Sequence, residues 1–232
     1  MSFPLKTRLR RCLAAVCGSV WFAVAALPGT AGLVLSGTLA MLPVPAMAQT
    51  PPDRFVEAIS NDVLNRIRSD KAVQSGDFQQ VAKFVDSAVM PHINFERMTA
   101  LSVGRAWRQA SPEQQKALIT EFRTLLLRTY SGALSQVGDK QVKVRPFRGD
   151  AAADDVIVRS EIVGGRGDPI QIDYRLEKAG SAWKIYDVNV LGIWIVQTYR
   201  DQFGQEISAR GVDGLIRSLS DKNRQFEAAP RS

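Results

Sequence analysis

From Phe55 to Val137 the apolar residues of this chain recur at helical spacing. Phe55, Ile59, Val63 and Ile67 form one stripe, with Asp53, Glu57, Asn61 and Arg68 around the opposite face. Phe78, Val81, Ala82, Val85 and Ala88 form a second, with Asp77 as its N-cap and Met90 as its end before Pro91. A short connection then enters a third helix at Phe95. The fourth starts at Pro112, because Ser111-Pro112-Glu113-Gln114 supplies a capping Ser, Pro at the first helical position and Gln three residues past the cap. Leu118, Phe122, Leu126, Tyr130 and Leu134 then recur every four residues. Ile119, Leu125 and Val137 widen the stripe until Gly138 offers a left-handed stop. None of the four helices is apolar all round, so each needs an apolar partner surface.

After Gly138 the period becomes alternating. Val142 and Val144 are opposed by Gln141, Lys143 and Arg145, with Pro146 marking an edge. Val156, Val158, Ser160 and Ile162 alternate with Ile157, Arg159 and Glu161, and a loop at Gly164 to Asp168 turns the chain back. In the next strand Ile170, Ile172, Tyr174 and Leu176 point one way and Gln171, Asp173, Arg175 and Glu177 the other, so one face is expected covered and one wet. In the fourth strand the apolar phase slips from Trp183 and Ile185 to Tyr186, Val188 and Val190, which implies a bulge or burial on both faces. A helical pair follows: Trp194, Ile195, Tyr199, Phe203 and Ile207 up to Gly211, then Val212, Leu215, Ile216 and Leu219. The order predicts an α+β domain, an antiparallel four-stranded sheet with several amphipathic helices packed on one face.

The amino terminus changes the charge picture. Lys6, Arg8, Arg10 and Arg11 precede a long apolar run that ends at Ala46-Met47-Ala48, a secretory signal with a small-x-small cleavage site before Gln49. The Arg10-Arg11 pair also allows a twin-arginine reading, and an uncleaved run could span a bilayer, although Pro28, Gly29, Gly32 and Gly37 interrupt it. Removing residues 1–48 takes four of the 30 basic residues and none of the 23 acidic ones, so +7 becomes +3. With no basic run interleaved with aromatics, nucleic acid is not an expected partner. Cys12 and Cys17 both go with the signal, and His92 is the one histidine. No disulfide, thiolate site or imidazole-rich zinc site is expected in the mature chain, and no cofactor. The division expected is signal 1–48, one domain 49–223 and a polar, disordered tail 224–232.

Two blocks carry a family resemblance. The first runs Phe95, Met98, Gly104, Trp107-Arg108, Ala110-Ser111-Pro112-Glu113-Gln114, Phe122-Arg123, Leu126 and Arg128-Thr129-Tyr130. The second runs Trp183 to Val188, Gly192, Tyr199-Arg200, Phe203, Ile207 and Gly211 to Ile216. In order and spacing the chain resembles the MlaC or toluene-tolerance family of periplasmic phospholipid-binding proteins. The resemblance implies a non-enzymatic periplasmic carrier whose helices and sheet enclose an apolar lipid cavity. It implies phospholipid as cargo, and as partners an inner-membrane MlaD-type ABC transporter complex and an outer-membrane MlaA-type lipoprotein with porin. The candidate lining is Phe84, Phe95, Met98, Trp107, Phe122, Leu126, Tyr130, Ile172, Tyr174, Tyr186, Val188 and Tyr199. Each has a packing-only alternative, because filled cores and open pockets use the same residue types. Arg105, Arg108, Arg123, Arg128 and Arg200 are candidates for lipid phosphates. Many family members carry a small Ser two residues after Gly192, whereas this chain has Ile193 and Trp194, a bulky ring that either narrows the pocket or faces outward.

The competing classes are a ketosteroid isomerase-like enzyme, a carrier of hopanoids or other lipids, and a structural adaptor. For the enzyme, Asp187 beside Tyr186 is the candidate pair, although strict alternation turns them to opposite faces. A triad on His92 lacks any Gly-x-Ser-x-Gly nucleophile motif, and the Gly164 to Gly167 loop joins two strands and lacks the helix of a phosphate cradle. Asp154-Asp155 falls short of a calcium shell.

Overall fold

The computed structural model describes residues 50–134, 138–150, 152–164 and 168–228. The signal segment, Val137 and most of the glycine loop lie outside them. Helix α1 (Pro52–Ser69) takes Pro at its first position. A single helical turn, α2 (Lys71–Gln74), follows, capped by Asp70 through the amides of Ala72 and Val73. Helix α3 (Phe78–Phe84) is capped by Asp77, which accepts from Gln80 N at 3.0 Å. The second predicted helix continues past α3, but as a wide turn at Val85–Val89 and a tight one at Met90–His92. Pro91 has no N–H for the carbonyl of Ser87, so regular winding cannot persist there.

Helix α4 (Phe95–Val103) ends at Gly104, whose φ of +72° few side chains adopt. Helix α5 (Pro112–Leu134) opens on a reciprocal capping box: Ser111 Oγ accepts from Gln114 N, and Gln114 Oε1 accepts from Ser111 N at 3.0 Å. Strands β1 (Gln141–Val144), β2 (Asp155–Val163), β3 (Ile170–Ala179), β4 (Ala182–Val190) and β5 (Ile193–Trp194) form one antiparallel sheet in chain order. The sheet thus has five strands where four were expected. The fifth is two residues long, too short for alternation to reveal. Helix α6 (Ile195–Ala228) breaks its φ/ψ pattern at Gly211, the predicted junction of the helical pair. The expected tail from residue 224 is instead helical through Ala228. Asn223 is buried and donates to the Glu121 carbonyl at 3.0 Å and carboxylate at 2.7 Å, which holds this end of α6 against α5.

The buried apolar residues fall into three groups. One joins α4, α5 and α6 through Phe95, Met98, Leu118, Phe122, Leu125, Tyr199, Phe203 and Leu215, and no buried sheet residue belongs to it. The second joins Val56 of α1 to Val156, Val158, Leu176, Trp183 and Ile185 of the sheet. The third links Ile67 and Val73 to Val81, Phe84 and Ala88. The expected single helical layer is therefore divided. Helix α1 covers the apolar sheet face, while α4 and α6 meet the sheet through polar contacts: Arg97 to Glu177 and Asp155, and Val196 N to Asp187. The apolar stripes of α5 and α6 find each other rather than the sheet.

Candidate functional site

Cross-strand register decides which side chains share a face, because directly opposed residues in an antiparallel pair point the same way. Val142 opposes Ile162; Ile162 opposes Ile170; Ile172 opposes Ser160 and Val190; Tyr174 opposes Val158 and Val188. These residues continue the face that α1 covers. At one end the face is closed, with Val156, Val158, Leu176, Trp183 and Ile185 buried beneath Val56. Two contacts fix α1 across that end: Trp183 Nε1 donates to Thr50 O at 2.9 Å, and Phe147 N donates to Asp53 Oδ2 at 3.2 Å. Toward the other end Val142, Ile162, Ile170, Ile172 and Val190 are half-buried, and none is in a buried group among the described residues.

Tyr174 stands at the boundary. Its hydroxyl lies among those of Ser160 on β2 and Ser60 on α1, and burial pushes its pKa above the ordinary phenol value. The residue as a whole is nevertheless half-buried rather than buried. Val188, also half-buried, packs beside it. The arrangement is an apolar, half-buried sheet face with α1 over its closed end and the Tyr174, Ser160 and Ser60 hydroxyls at its waist.

The twelve candidate residues do not converge on one place. Ile172, Tyr174 and Val188 line this face. Phe95, Met98, Phe122 and Tyr199 are buried in the helical group, where Phe122 meets Tyr199 edge-on at 4.8 Å and Phe203 at 5.1 Å. Trp107 and Leu126 pack on that group half-buried, and Tyr130 is 47% exposed. Phe84 belongs to the separate α1–α3 group. Tyr186 lies across the sheet from Tyr174, under the Arg97 guanidinium at 3.8 Å, and Arg97 in turn pairs with Glu177 and Asp155. Sequence reading passed over Val142, Ile162, Ile170 and Val190. Their alternation with polar residues was visible, but their alignment across strands needs the register.

The polar face corrects two expectations. Asp173, Asp187 and Asn189 are buried on it, so it is not uniformly wet. The predicted phase slip is a bulge: Arg175 pairs with Asp187 but Leu176 with Ile185, leaving Tyr186 as the extra residue. Tyr186 and Asp187 therefore both reach the polar side, against strict alternation. Asp187 Oδ1 accepts from Val188 N at 2.9 Å and Val196 N at 3.0 Å, and Oδ2 accepts from Arg175 at 3.0 Å. Burial raises its pKa, countered by the Val196 amide and Arg175. This carboxylate is spoken for as the cap of α6, with no open side for a substrate proton. His92 packs edge-on against Phe55 at 5.9 Å, and burial, aided by Lys184, lowers its pKa. Among the described residues no group of three His, Cys, Asp or Glu is placed to hold a metal, and no helix is long and apolar enough to cross a membrane.

A family model described as MlaC protein matches residues 57–221. The chain belongs to the MlaC family. Among relatives, the toluene tolerance protein ttg2D of Pseudomonas putida is 26% identical over 182 residues, 78% of this chain and 83% of that protein. The intermembrane phospholipid transport system binding protein MlaC of Haemophilus influenzae is 20% identical over 183 residues, 78% of this chain and 86% of that one. Among solved structures, a phospholipid-binding protein from Ralstonia solanacearum, in complex with a phospholipid, is 40% identical with a TM-score of 0.74. The match covers 77% of this chain and 99% of that one.

Within this MlaC-family chain the bulky residues after Gly192 now have positions. Trp194 stacks on the Arg175 guanidinium at 4.0 Å, on the polar face, and Ile193 is 63% exposed, so the ring stays out of the apolar side. Of the candidate arginines, Arg123 pairs with Asp86, and Arg200 donates to Leu101 O at 3.2 Å beside Gly104. Arg128 lies over Phe78 at 4.3 Å, 3.6 Å from Glu227. Arg105 and Arg108 are exposed.

Proposed function

We propose that the mature chain is a periplasmic phospholipid carrier and not an enzyme, its cargo lying against the half-buried sheet face under α1. The observation that carries this reading is the likeness, across 77% of this chain and 99% of the other, to a protein solved with a phospholipid bound. Energetics says why a carrier is needed. At ~0.8 kcal/mol for each buried CH₂, two acyl chains hold a lipid in its bilayer by tens of kcal/mol, so transfer through water requires an equivalent apolar lining. No bond has to change, only enclosure.

Ile172, Tyr174 and Val188, continued by Val142, Ile162, Ile170 and Val190, are the first lining residues proposed. Leu126, Trp107, Tyr130, Phe122 and Met98 stay with the helical group and are not proposed as lining. In the cell the carrier would take its lipid between an outer-membrane MlaA-type lipoprotein with porin and an inner-membrane MlaD-type ABC transporter. Native mass spectrometry of protein purified from the periplasm, followed by transfer between labelled donor and unlabelled acceptor vesicles, tests the reading. One phospholipid per protein and protein-dependent transfer are expected. A lipid-free protein that moves no lipid between vesicles refutes it, and one loaded with a polycyclic lipid instead redirects it to that cargo.

A further inference from the structure

The outer edge of the sheet carries an unused strand-pairing site beside the closed end of the apolar face. Strand β1 covers β2 only from Ser160 to Val163. One further backbone bond, Arg145 N to Arg159 O at 2.8 Å, closes the pairing; Pro146 follows, and the chain leaves the sheet. On its other side β2 stays paired as far as Asp154, whose carbonyl accepts from Lys178 N at 2.8 Å. Peptide groups alternate along a strand, so odd-numbered residues of β2 face the β1 side and even-numbered ones face β3. The peptide groups of Asp155 and Ile157 therefore face an edge with no partner among the described residues.

That edge is not flush with the surface. Residues 145–150 and Ala153 stand off from it and leave a groove of about 750 Å³, floored by Asp155 to Arg159. A volume of this size suits a short extended segment. Its rim is basic. Arg145 is neutralised by Glu161, and Asp155 by Arg97, whereas exposed Arg148 and Arg159 have no ion pair among the described residues. Ile157, 41% exposed on an otherwise polar face, adds an apolar contact beside them. Proteins usually blunt an open edge with charge or a covering loop. Here Arg148 and Arg159 outnumber Asp150, the groove carboxylate without an ion pair among the described residues, and the loop forms a wall rather than a lid.

We infer that this groove is a docking site for an extended, acidic segment of a partner protein, which adds as a strand along β2 in line with β1 and pairs its carboxylates with Arg148 and Arg159. Backbone pairing supplies register and the two arginines select the sign of charge. A second copy of this chain is disfavoured as occupant, because edge-to-edge pairing would bring two such arginine rims together. The inference is independent of what lies under α1.

The test uses the full mature chain as purified and two blocked six-residue peptides, one alternating valine with glutamate and one valine with lysine. Amide exchange is followed by NMR. The glutamate peptide should slow exchange at Asp155 and Ile157, more weakly at about 500 mM salt than at about 50 mM, and the lysine peptide should not. Arg148→Glu with Arg159→Glu, both exposed, should weaken glutamate-peptide binding by tenfold or more at unchanged thermal midpoint. The idea fails if neither peptide protects these amides, if both do so equally, or if protection arises elsewhere. It fails equally if the double variant binds as well as the parent. Protection of the same amides by phosphatidylglycerol vesicles but not by peptide would assign the groove to a membrane surface, and concentration-dependent protection without peptide would assign it to a second copy. Either outcome overturns the proposal.

Discussion

The helical region and the α1–sheet region are both built from apolar side chains but bury them to different degrees. Around Phe122 the interior is closed: Leu118 and Phe122 expose nothing, and four rings interlock between α4, α5 and α6. The hydroxyls of Thr99 and Ser102 in this interior are satisfied by carbonyls one turn back, at 2.8 and 2.9 Å. On the sheet the apolar face is closed at the Trp183 end and half-exposed beyond Tyr174. A close-packed interior maximises stability, and a face left partly uncovered forgoes some of it for a guest. The first region therefore stabilises the fold, and the second is the one the proposed carrier role draws on.

The largest expected effect is in the closed region. Phe122→Ala removes a ring that touches Phe95, Tyr199 and Phe203, and should lower stability by about 3–5 kcal/mol. Urea denaturation measures it, and a loss under about 1 kcal/mol would mean this interior is as loose as the sheet face. Next comes Val188→Glu, which puts a carboxylate on the half-buried face. In a hollow it can turn toward solvent, so the protein should fold with a smaller loss than Phe122→Ala while co-purified phospholipid drops roughly tenfold or more. Gln141→Glu, on the opposite face of β1, is the control and should keep its lipid. If Val188→Glu also retains a full complement, Val188 leaves the lining. A variant that never folds would place Val188 in a packed core instead.

Both regions were legible in the sequence as elements but not as kinds of region. Caps at Asp77 and Ser111, the Gly211 break and the alternation in β2 and β3 are local signals, and each recurs in the structure where the residues placed it. Whether a stripe packs or receives is not local. Phe122 and Tyr174 both read as apolar lining, yet one is closed in by another helix and the other stays half-buried beside α1, because what opposes them comes from elements 77 and 114 residues away: Tyr199 for Phe122, Ser60 for Tyr174. The bulge at Tyr186 was signalled by the phase slip, but which face each residue reached depended on where β3 took up the extra residue. Two-residue β5 left no pattern to read.

Asp187 belongs to both regions, since it lies in β4 and caps α6, and it gives a pH-dependent third prediction. Burial raises its folded pKa above the unfolded value, so the folded state holds the proton more tightly. Its contribution is then fully present below the unfolded pKa and is lost as pH rises through the folded one. Asn cannot ionise and keeps an oxygen for the Val196 amide. The thermal midpoint of Asp187→Asn relative to the parent should therefore rise as pH is raised from below about 4 through the elevated pKa. Lipid transfer should stay near the parent level. A midpoint difference that moves the other way would mean that pairing with Arg175 outweighs burial, and loss of a catalysed turnover would revive the enzyme reading.

The smallest effect is expected at the rim where the closed region ends. Tyr130 is 47% exposed, and its hydroxyl interacts with that of Tyr199, whose pKa is pushed up to about 12, first by burial and then by Tyr130. Tyr130→Phe keeps the ring and deletes one hydroxyl, and Tyr199 still has the Thr129 hydroxyl as a partner. The expected stability change is no more than about 1 kcal/mol, the scale of one partly solvated hydrogen bond. Bound phospholipid should be unchanged, because the apolar surface is unchanged. Spectrophotometric titration of the tyrosines, with Tyr199 assigned by its Phe variant, should show the Tyr199 phenol move down toward the ordinary range, while burial keeps it above 10. A phenol that does not move would mean that Tyr130 plays no part in raising it. One that falls to the ordinary value would mean that water reaches Tyr199 once the Tyr130 hydroxyl is gone, and the closed region would end a full turn earlier on α5 than its packing implies.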